Sequence, residues 1–221
     1  MRSTSKIKEE GHVRIPVGKV ILGGNLIMPK NAKGIVVFAH GSGSSRFSPR
    51  NHYVAKILQN KGFATLLMDL LTMEEELIDM QTGHLRFDIE FLAERLVGAA
   101  EWLKKNSKTK NLRIGYFGAS TGAGATLIAA AKYPDDVYAI VSRGGRPDLA
   151  MHYLPKIKAP TLVIVGGNDK AIIEMNRAAM RHLHAVKKLE IVPGASHLFE
   201  EPGKLEEVAR LAAGWFNRYL G

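Results

Sequence analysis

The 221-residue sequence contains no cysteine, and this absence removes several kinds of chemistry at once. Without a thiol there is no disulfide framework, no thiolate metal site and no cysteine nucleophile. Long apolar runs are also missing, since none approaches the roughly 20 residues that a bilayer span requires. Residues 1–10 carry charge and lack the apolar core of a secretory signal. We therefore expect a soluble, cytoplasmic protein with no membrane partner.

The basic charge lacks the organisation of a nucleic-acid interface. The formal net charge is +10, but lysines and arginines are spread along the chain. Their densest group, residues 104–110, is typical of a solvated loop, and no basic stripe is interleaved with aromatic residues. We expect no nucleic-acid partner, and interpret the charge as aiding solubility and favouring anionic small molecules.

The histidines form no metal-binding constellation, and no metal is expected. His182 and His184 are two positions apart, a spacing that does not share a helix face. Both are interpreted as surface residues. Four more histidines fall on predicted helices, edges or distant loops: His12, His52, His84 and His152.

What the sequence does contain, after residue 30, is an alternation of short apolar runs with amphipathic stretches. The apolar runs predict buried strands at 34–39, 63–68, 112–117, 137–141, 161–165 and 188–192. The amphipathic stretches predict helices at 48–62, from about 88 onward, 123–132, 171–185 and after Pro202.

This alternation predicts an α/β protein with a mostly parallel sheet covered by helices on both faces. Residues 13–28 instead predict a hairpin that adds antiparallel strands at the N-terminal edge. Residues 70–85 are acidic and irregular, which favours a loop or small excursion near the mouth of a site. No repeat or linker interrupts the chain. We expect one domain over residues 1–221.

The most informative motif is Gly118-Ala119-Ser120-Thr121-Gly122, which reads G-x-S-x-G between a predicted strand and a predicted helix. A serine on such a tight turn is pushed out of the sheet with its hydroxyl exposed. The flanking glycines let strand and helix approach closely. Ser120 is therefore a candidate nucleophile, although the motif alone is also compatible with simple turn chemistry.

A serine nucleophile needs a base, and the base needs an orienting group. Open α/β sheets place functional groups at the carboxyl ends of the strands. Asp169 and His197 each follow such a strand, in the nucleophile–acid–base order of α/β-hydrolases. Two alternatives remain for the acid: Asp169 caps the next helix, or Asp148 takes its place.

The loop His40-Gly41-Ser42-Gly43-Ser44-Ser45-Arg46 follows the first predicted parallel strand, where an oxyanion loop belongs. We predict that the backbone N–H groups of Ser42 and Thr121 bind the developing oxyanion. The alternative is an ordinary Gly/Ser turn. His40 is interpreted as a residue that anchors the loop by hydrogen bonding.

With these motifs the chain resembles the dienelactone hydrolase branch of the α/β-hydrolase family. The resemblance rests on the segments around Gly41, Ser120 and Asp169, and on Gly194-Ala195-Ser196-His197-Leu198-Phe199. It covers nearly the whole chain and implies an α/β-hydrolase fold without a large lid domain. It also implies hydrolysis of esters or lactones through an acyl-enzyme, with no cofactor. Dienelactone hydrolases carry cysteine where this chain has Ser120, which favours a serine esterase.

Three arginines lie on loops at the same edge of the sheet as the predicted triad: Arg46, Arg143 and Arg146. Guanidinium groups suit planar carboxylates, so these residues are candidates for binding an anionic substrate group. The alternative is that they brace loops or pair with Asp148 and Glu200.

The sequence thus predicts a hydrolase of small-molecule esters or lactones, acting as a monomer or homodimer. Two other functions stay open. One is a peptide- or acyl-bond hydrolase with the same triad, because such a site does not fix the leaving group. The other is a non-catalytic binding protein on the same fold.

Overall fold

The computed structural model describes residues 7–221, within which eight strands form a single sheet. The prediction for residues 1–10 thus falls partly outside the described residues. The strands are β1 (Ile7–Val17), β2 (Val20–Pro29), β3 (Ile35–Ala39), β4 (Ala64–Met68), β5 (Ile114–Ala119), β6 (Val137–Arg143), β7 (Thr161–Gly166) and β8 (Lys187–Val192).

The strand order across the sheet is β1-β2-β4-β3-β5-β6-β7-β8. β2 is antiparallel to both β1 and β4, and all the pairings from β4 to β8 are parallel. The predicted mostly parallel sheet with an antiparallel N-terminal edge is confirmed. The hairpin is longer than predicted, because its first strand already begins at Ile7.

Helices cover both faces of this sheet. They are α1 (Pro49–Asn60), α2 (Met73–Thr82), α3 (Ile89–Lys105), α4 (Thr121–Lys132), α5 (Lys170–Met180) and α6 (Lys204–Tyr219). Short 3-10 turns are formed by Leu85–Phe87, Pro147–Ala150 and Leu154–Lys156. None of the helices within residues 7–221 combines the length and apolarity needed to cross a bilayer.

Two predictions about helices are wrong. Residues 70–85 are not an irregular loop, because Thr72 and Glu75 form a capping box that starts α2. The helix after residue 170 ends at Met180 rather than near residue 185. There the Lys187 ammonium donates to the carbonyl oxygens of Met180 (2.7 Å) and Leu183 (2.5 Å) and so satisfies carbonyls at the end of the helix.

Successive side chains of β3 enter two different hydrophobic cores, as expected for a strand buried on both faces. Ile35 and Val37 pack with the apolar residues of α3 and α4. Val36 and Phe38 pack with those of α1 and α6 on the opposite face. Packing on both faces thus holds β3 in place, so the loop at its carboxyl end begins at a fixed position.

One close backbone approach joins the start of α4 to the end of β3. A Cβ atom at Gly122 would lie 2.3 Å from the carbonyl oxygen of His40 and 2.5 Å from that of Ala39. Neither carbonyl can withdraw without moving the strand. Gly214 of α6 is a useful contrast, because its Cβ would meet no atom within 4 Å.

We expect Gly122→Ala to lower the free energy of unfolding by about 1–3 kcal/mol or more, as overpacking does. Gly214→Ala, the matched control, should raise it by about 0.5–1 kcal/mol, because alanine favours a helix over glycine. Urea unfolding of both variants measures the two values. A Gly122→Ala protein as stable as the wild type would contradict the close approach.

Candidate active site

Ser120 lies on a sharp turn between β5 and α4, with backbone angles φ 51° and ψ −121°. A positive φ strains a residue that carries a Cβ atom, so the turn must be held from outside. Its N–H donates to the carbonyl of Arg143 (3.1 Å), and its carbonyl accepts from the N–H of Arg146 (3.2 Å). The loop after β6 therefore holds the predicted nucleophile in its strained conformation.

Asp169 and His197 lie against each other at the ends of β7 and β8. The ring Nδ1 of His197 donates to Asp169 Oδ2 at 2.7 Å. Asp169 precedes α5, but its side chain makes no capping hydrogen bond to that helix. The competing acid, Asp148, pairs instead with Arg146, whose Nε and Nη2 donate at 2.9 and 2.7 Å. Of the two acids considered, the structure places Asp169 beside the histidine.

Ser120 and His197 face a common cavity of about 220 Å³. Within residues 7–221 no hydrogen bond joins the Ser120 hydroxyl to the imidazole. In free enzymes such bonds are often long and tighten only when substrate is bound. With Nδ1 engaged by Asp169, Nε2 is the nitrogen left for the serine proton.

The two predicted oxyanion donors are not both free to bind a substrate oxygen. The Ser42 N–H donates to the Thr121 hydroxyl oxygen at 2.9 Å. The N–H of Thr121, at the first position of α4, has no acceptor within its helix. Of the two predicted donors, the Thr121 N–H is therefore the one that no hydrogen bond described for residues 7–221 occupies. The hydrogen bond to Ser42 was not foreseen, because the sequence does not show where the Thr121 hydroxyl points.

His40 uses both ring nitrogens to hold the loop that carries Ser42. Its Nε2 accepts from the N–H of Leu70 at 3.2 Å, so the ring proton lies on Nδ1, which donates to the Gly41 carbonyl at 3.0 Å. Burial lowers the pKa of His40, which keeps the ring neutral. These contacts match the anchoring role inferred from the sequence.

The three candidate arginines lie in different environments. Arg46 forms an ion pair with Asp69, and its N–H donates to the same carboxylate at 2.9 Å. Arg146 is paired with Asp148. Arg143 lines the cavity beside Ser120 and His197. Arg46 and Arg146 are thus paired with carboxylates of the protein, as in the alternative considered above, and substrate binding by one or more of the three arginines stays a prediction.

A second cavity, of about 480 Å³, lies against α2 and shares residues of the Ser42 loop with the first cavity. Its wall includes Leu70, Glu76 and Met80. Burial, with the charge of Asp69 next, raises the pKa of Glu76. The sequence signal for this wall was the Thr72-x-x-Glu75 capping box.

The six histidines outside the motifs are all exposed. Within the part of the chain that the structure describes, no three His, Cys, Asp or Glu residues are grouped to hold a metal ion.

This arrangement is the fold of the α/β-hydrolases. A serine hydrolase without a lid from Xanthomonas campestris superposes with a TM-score of 0.77 at 18% identity, covering 96% of both chains. The profile of the dienelactone hydrolase family matches residues 22–220, and the chain belongs to that family. A crystal structure of dienelactone hydrolase from Anabaena variabilis gives a TM-score of 0.95 at 62% identity, covering 96% of this chain and 99% of that one.

A curated relative from Mycobacterium tuberculosis strain H37Rv, named as a putative phosphoribosyl transferase, is 54% identical over 208 residues. That alignment covers 94% of this chain and 46% of the relative. The chain thus spans about half the length of the curated relative it matches.

The raised pKa of Glu76 predicts a pH-dependent stability. Ionising this carboxyl costs more free energy in the folded chain than in the unfolded chain. The folded state therefore loses stability as the pH rises from the ordinary pKa to the raised pKa, with no loss below that range and the full loss above it. Glu76→Gln should therefore have a higher Tm than the wild type at about pH 8, with the difference closing towards about pH 4.

Glu74, on the same helix, is a control for which the opposite pH dependence of stability is expected. Hydrogen bonds from its own N–H and from the Thr72 side chain lower its pKa, so its ionised form favours the folded state. Glu74→Gln should lower Tm at about pH 8, and this loss should vanish in acid. Thermal unfolding across pH measures both, and a Glu76→Gln difference that is constant with pH would contradict the assignment.

Proposed function

We propose that the protein is a serine hydrolase that cleaves carboxylic esters or lactones of small substrates through an acyl-enzyme. The observation that carries this proposal is the hydrogen bond between His197 and Asp169, at the rim of the cavity that also exposes Ser120. Membership of the dienelactone hydrolase family supports the hydrolytic chemistry. The preference for esters and the roles of these residues are proposals.

In the proposed reaction the Ser120 hydroxyl attacks the carbonyl carbon and passes its proton to Nε2 of His197. Asp169 holds the imidazole in the required tautomer and stabilises its charged form. His197 then gives the proton to the leaving alcohol, and water repeats the sequence to release the acid. The serine hydroxyl itself makes no capping bond to α4, so it is free to react.

The oxyanion is bound by the N–H of Thr121, with the N–H of Ser42 as second donor. Ser42 currently donates to the Thr121 hydroxyl, so it must exchange or share that acceptor when the oxyanion forms. A lost oxyanion donor commonly costs about 3–4 kcal/mol of barrier. This exchange is therefore a substantial part of the proposed catalysis.

The mycobacterial relative is named as a putative phosphoribosyl transferase, so phosphoribosyl transfer is a second activity to consider for the region that the two chains share. The dienelactone hydrolase profile covers residues 22–220, almost all of the region aligned with that longer protein. We therefore assign the hydrolytic chemistry to the shared region. We make no proposal of phosphoribosyl transfer for this chain.

A fluorophosphonate probe read by intact mass tests the nucleophile. The wild type should gain one adduct and Ser120→Ala none, because only an activated serine reacts. Asp169→Asn should label far more slowly, since loss of the orienting acid typically costs about 10⁴-fold in rate. Asp148→Asn, the matched control at the neighbouring strand end, should label like the wild type.

Absence of labelling in the wild type would favour the binding protein over the enzyme. Slow labelling of Asp148→Asn together with normal labelling of Asp169→Asn would assign the acid to Asp148. Paired 4-nitrophenyl esters and 4-nitroanilides of the same acyl group then separate ester from amide hydrolysis. Faster cleavage of the anilide would replace the esterase proposal with an amidase.

A further inference from the structure

The segment from Arg143 to Arg146, which leaves the end of β6, contacts both Ser120 and His197. The Ser120 N–H donates to the Arg143 carbonyl (3.1 Å), and the Arg146 N–H donates to the Ser120 carbonyl (3.2 Å). Gly144, at φ 53°, lies so close to His197 that a Cβ atom there would be 3.3 Å from its Cε1. The position of this segment therefore sets the separation between the proposed nucleophile and the proposed base.

Asn176 of α5 holds the middle of this segment by a hydrogen bond. Its side chain is fully buried, and its Nδ2 donates to the Gly145 carbonyl at 3.0 Å and to the Ile172 carbonyl at 2.8 Å. No other side chain among the described residues hydrogen-bonds the backbone of residues 143–146. Asp169 immediately precedes α5, about two helical turns before Asn176. One helix thus follows directly on the proposed acid and also anchors the segment that holds the serine turn.

The Asn176 amide comes at a cost to stability. Because both neighbours of Nδ2 are carbonyl oxygens, the nitrogen must face them and Oδ1 faces away. Oδ1 is buried and has no hydrogen-bond partner within residues 7–221. A buried polar atom left unsatisfied is destabilising, and an aliphatic side chain of similar size would avoid this loss. What the amide adds outside its own helix is the hydrogen bond to Gly145.

We propose that Asn176 is a positioning residue for the proposed serine hydrolase chemistry, on which this inference rests. Held from α5, the segment keeps the Ser120 turn in its strained conformation and at a fixed distance from His197. Without the hydrogen bond to Gly145 the segment is released, the turn relaxes, and the Ser120 hydroxyl moves away from Nε2. Asn176 is absent from the described residues that line the cavity of Ser120, so it acts through the backbone and not on substrate.

Asn176→Leu removes the donor and keeps a branched side chain of similar shape. The maximal rate of labelling by the fluorophosphonate probe, kinact, should fall about 10- to 100-fold, because a misplacement of about 1 Å at the reacting groups can cost about 100-fold. The probe concentration that gives half the maximal rate, KI, should stay within about twofold, because the cavity wall is unchanged. Intact mass followed over time at several probe concentrations measures both constants.

Gln59→Met is the matched control for the loss of a buried amide. Gln59 is 6% exposed and donates through Nε2 to the Thr65 hydroxyl at 2.8 Å. This bond lies near the amino end of β4, whereas Ser120 follows the carboxyl end of β5. Gln59→Met should lower Tm but keep the wild-type kinact. Circular dichroism at the assay temperature verifies that each variant is folded.

Asn176→Asp adds a test through pH, and it decides the question if Asn176→Leu does not fold. Burial among carbonyls raises the pKa of the introduced carboxyl, whose protonated form donates to Gly145 and whose ionised form repels it. The kinact of Asn176→Asp, divided by that of the wild type at the same pH, should therefore fall about 10-fold or more between about pH 5 and about pH 9. The division removes the titration of His197, which both proteins share.

A wild-type kinact in folded Asn176→Leu, a raised KI with unchanged kinact, or a pH-independent ratio for Asn176→Asp would each overturn the positioning role. These results leave the hydrolase proposal intact, since the wild type is labelled in each case. A wild type that is not labelled refutes the hydrolase proposal, and the positioning role with it. The two failures are thus distinguished by whether the wild type reacts.

Discussion

The site depends on the close packing of the Ser120 turn against the loop after β3. Gly122 lies against the carbonyls of Ala39 and His40, and a Cβ atom there would meet backbone on the facing strand. This contact fixes the distance between the serine and the Ser42 loop. The Ser42 N–H then reaches the Thr121 hydroxyl, and His40 ties the same loop to Leu70. A substitution that adds a Cβ atom at Gly122 would therefore displace the Ser120 turn and the Ser42 loop together.

Much of the fold followed from local sequence patterns. Short apolar runs alternating with amphipathic stretches are sufficient to predict a parallel sheet, because each buried strand must be covered on both faces. The positions of Ser120, Asp169 and His197 at strand ends followed from the same reading. Parallel strands bring their carboxyl ends to one edge, so residues far apart in sequence meet there.

Most of the missed features depend on tertiary contacts that a local pattern does not record. Helix α2 is the exception, because its Thr72-x-x-Glu75 capping box and the helical spacing of its apolar residues are local signals that the acidic composition of the segment obscured. The pairing of Arg46 with Asp69 joins two loops, and nothing near either residue indicates the partner. Likewise, nothing near Thr121 or Ser42 in the sequence indicates the hydrogen bond between the Thr121 hydroxyl and the Ser42 N–H. Charge partners and loop hydrogen bonds thus required the folded chain.

The absence of a capping bond from the Ser120 side chain has a consequence for how this scaffold diversifies. The turn is held by backbone hydrogen bonds to Arg143 and Arg146 and by the neighbouring glycines, none of which involves the Ser120 hydroxyl. The identity of the side chain at the position of the proposed nucleophile is therefore uncoupled from folding. One small nucleophilic side chain can replace another at residue 120 without a change in the fold. The chemistry at this position and the fold can therefore evolve separately.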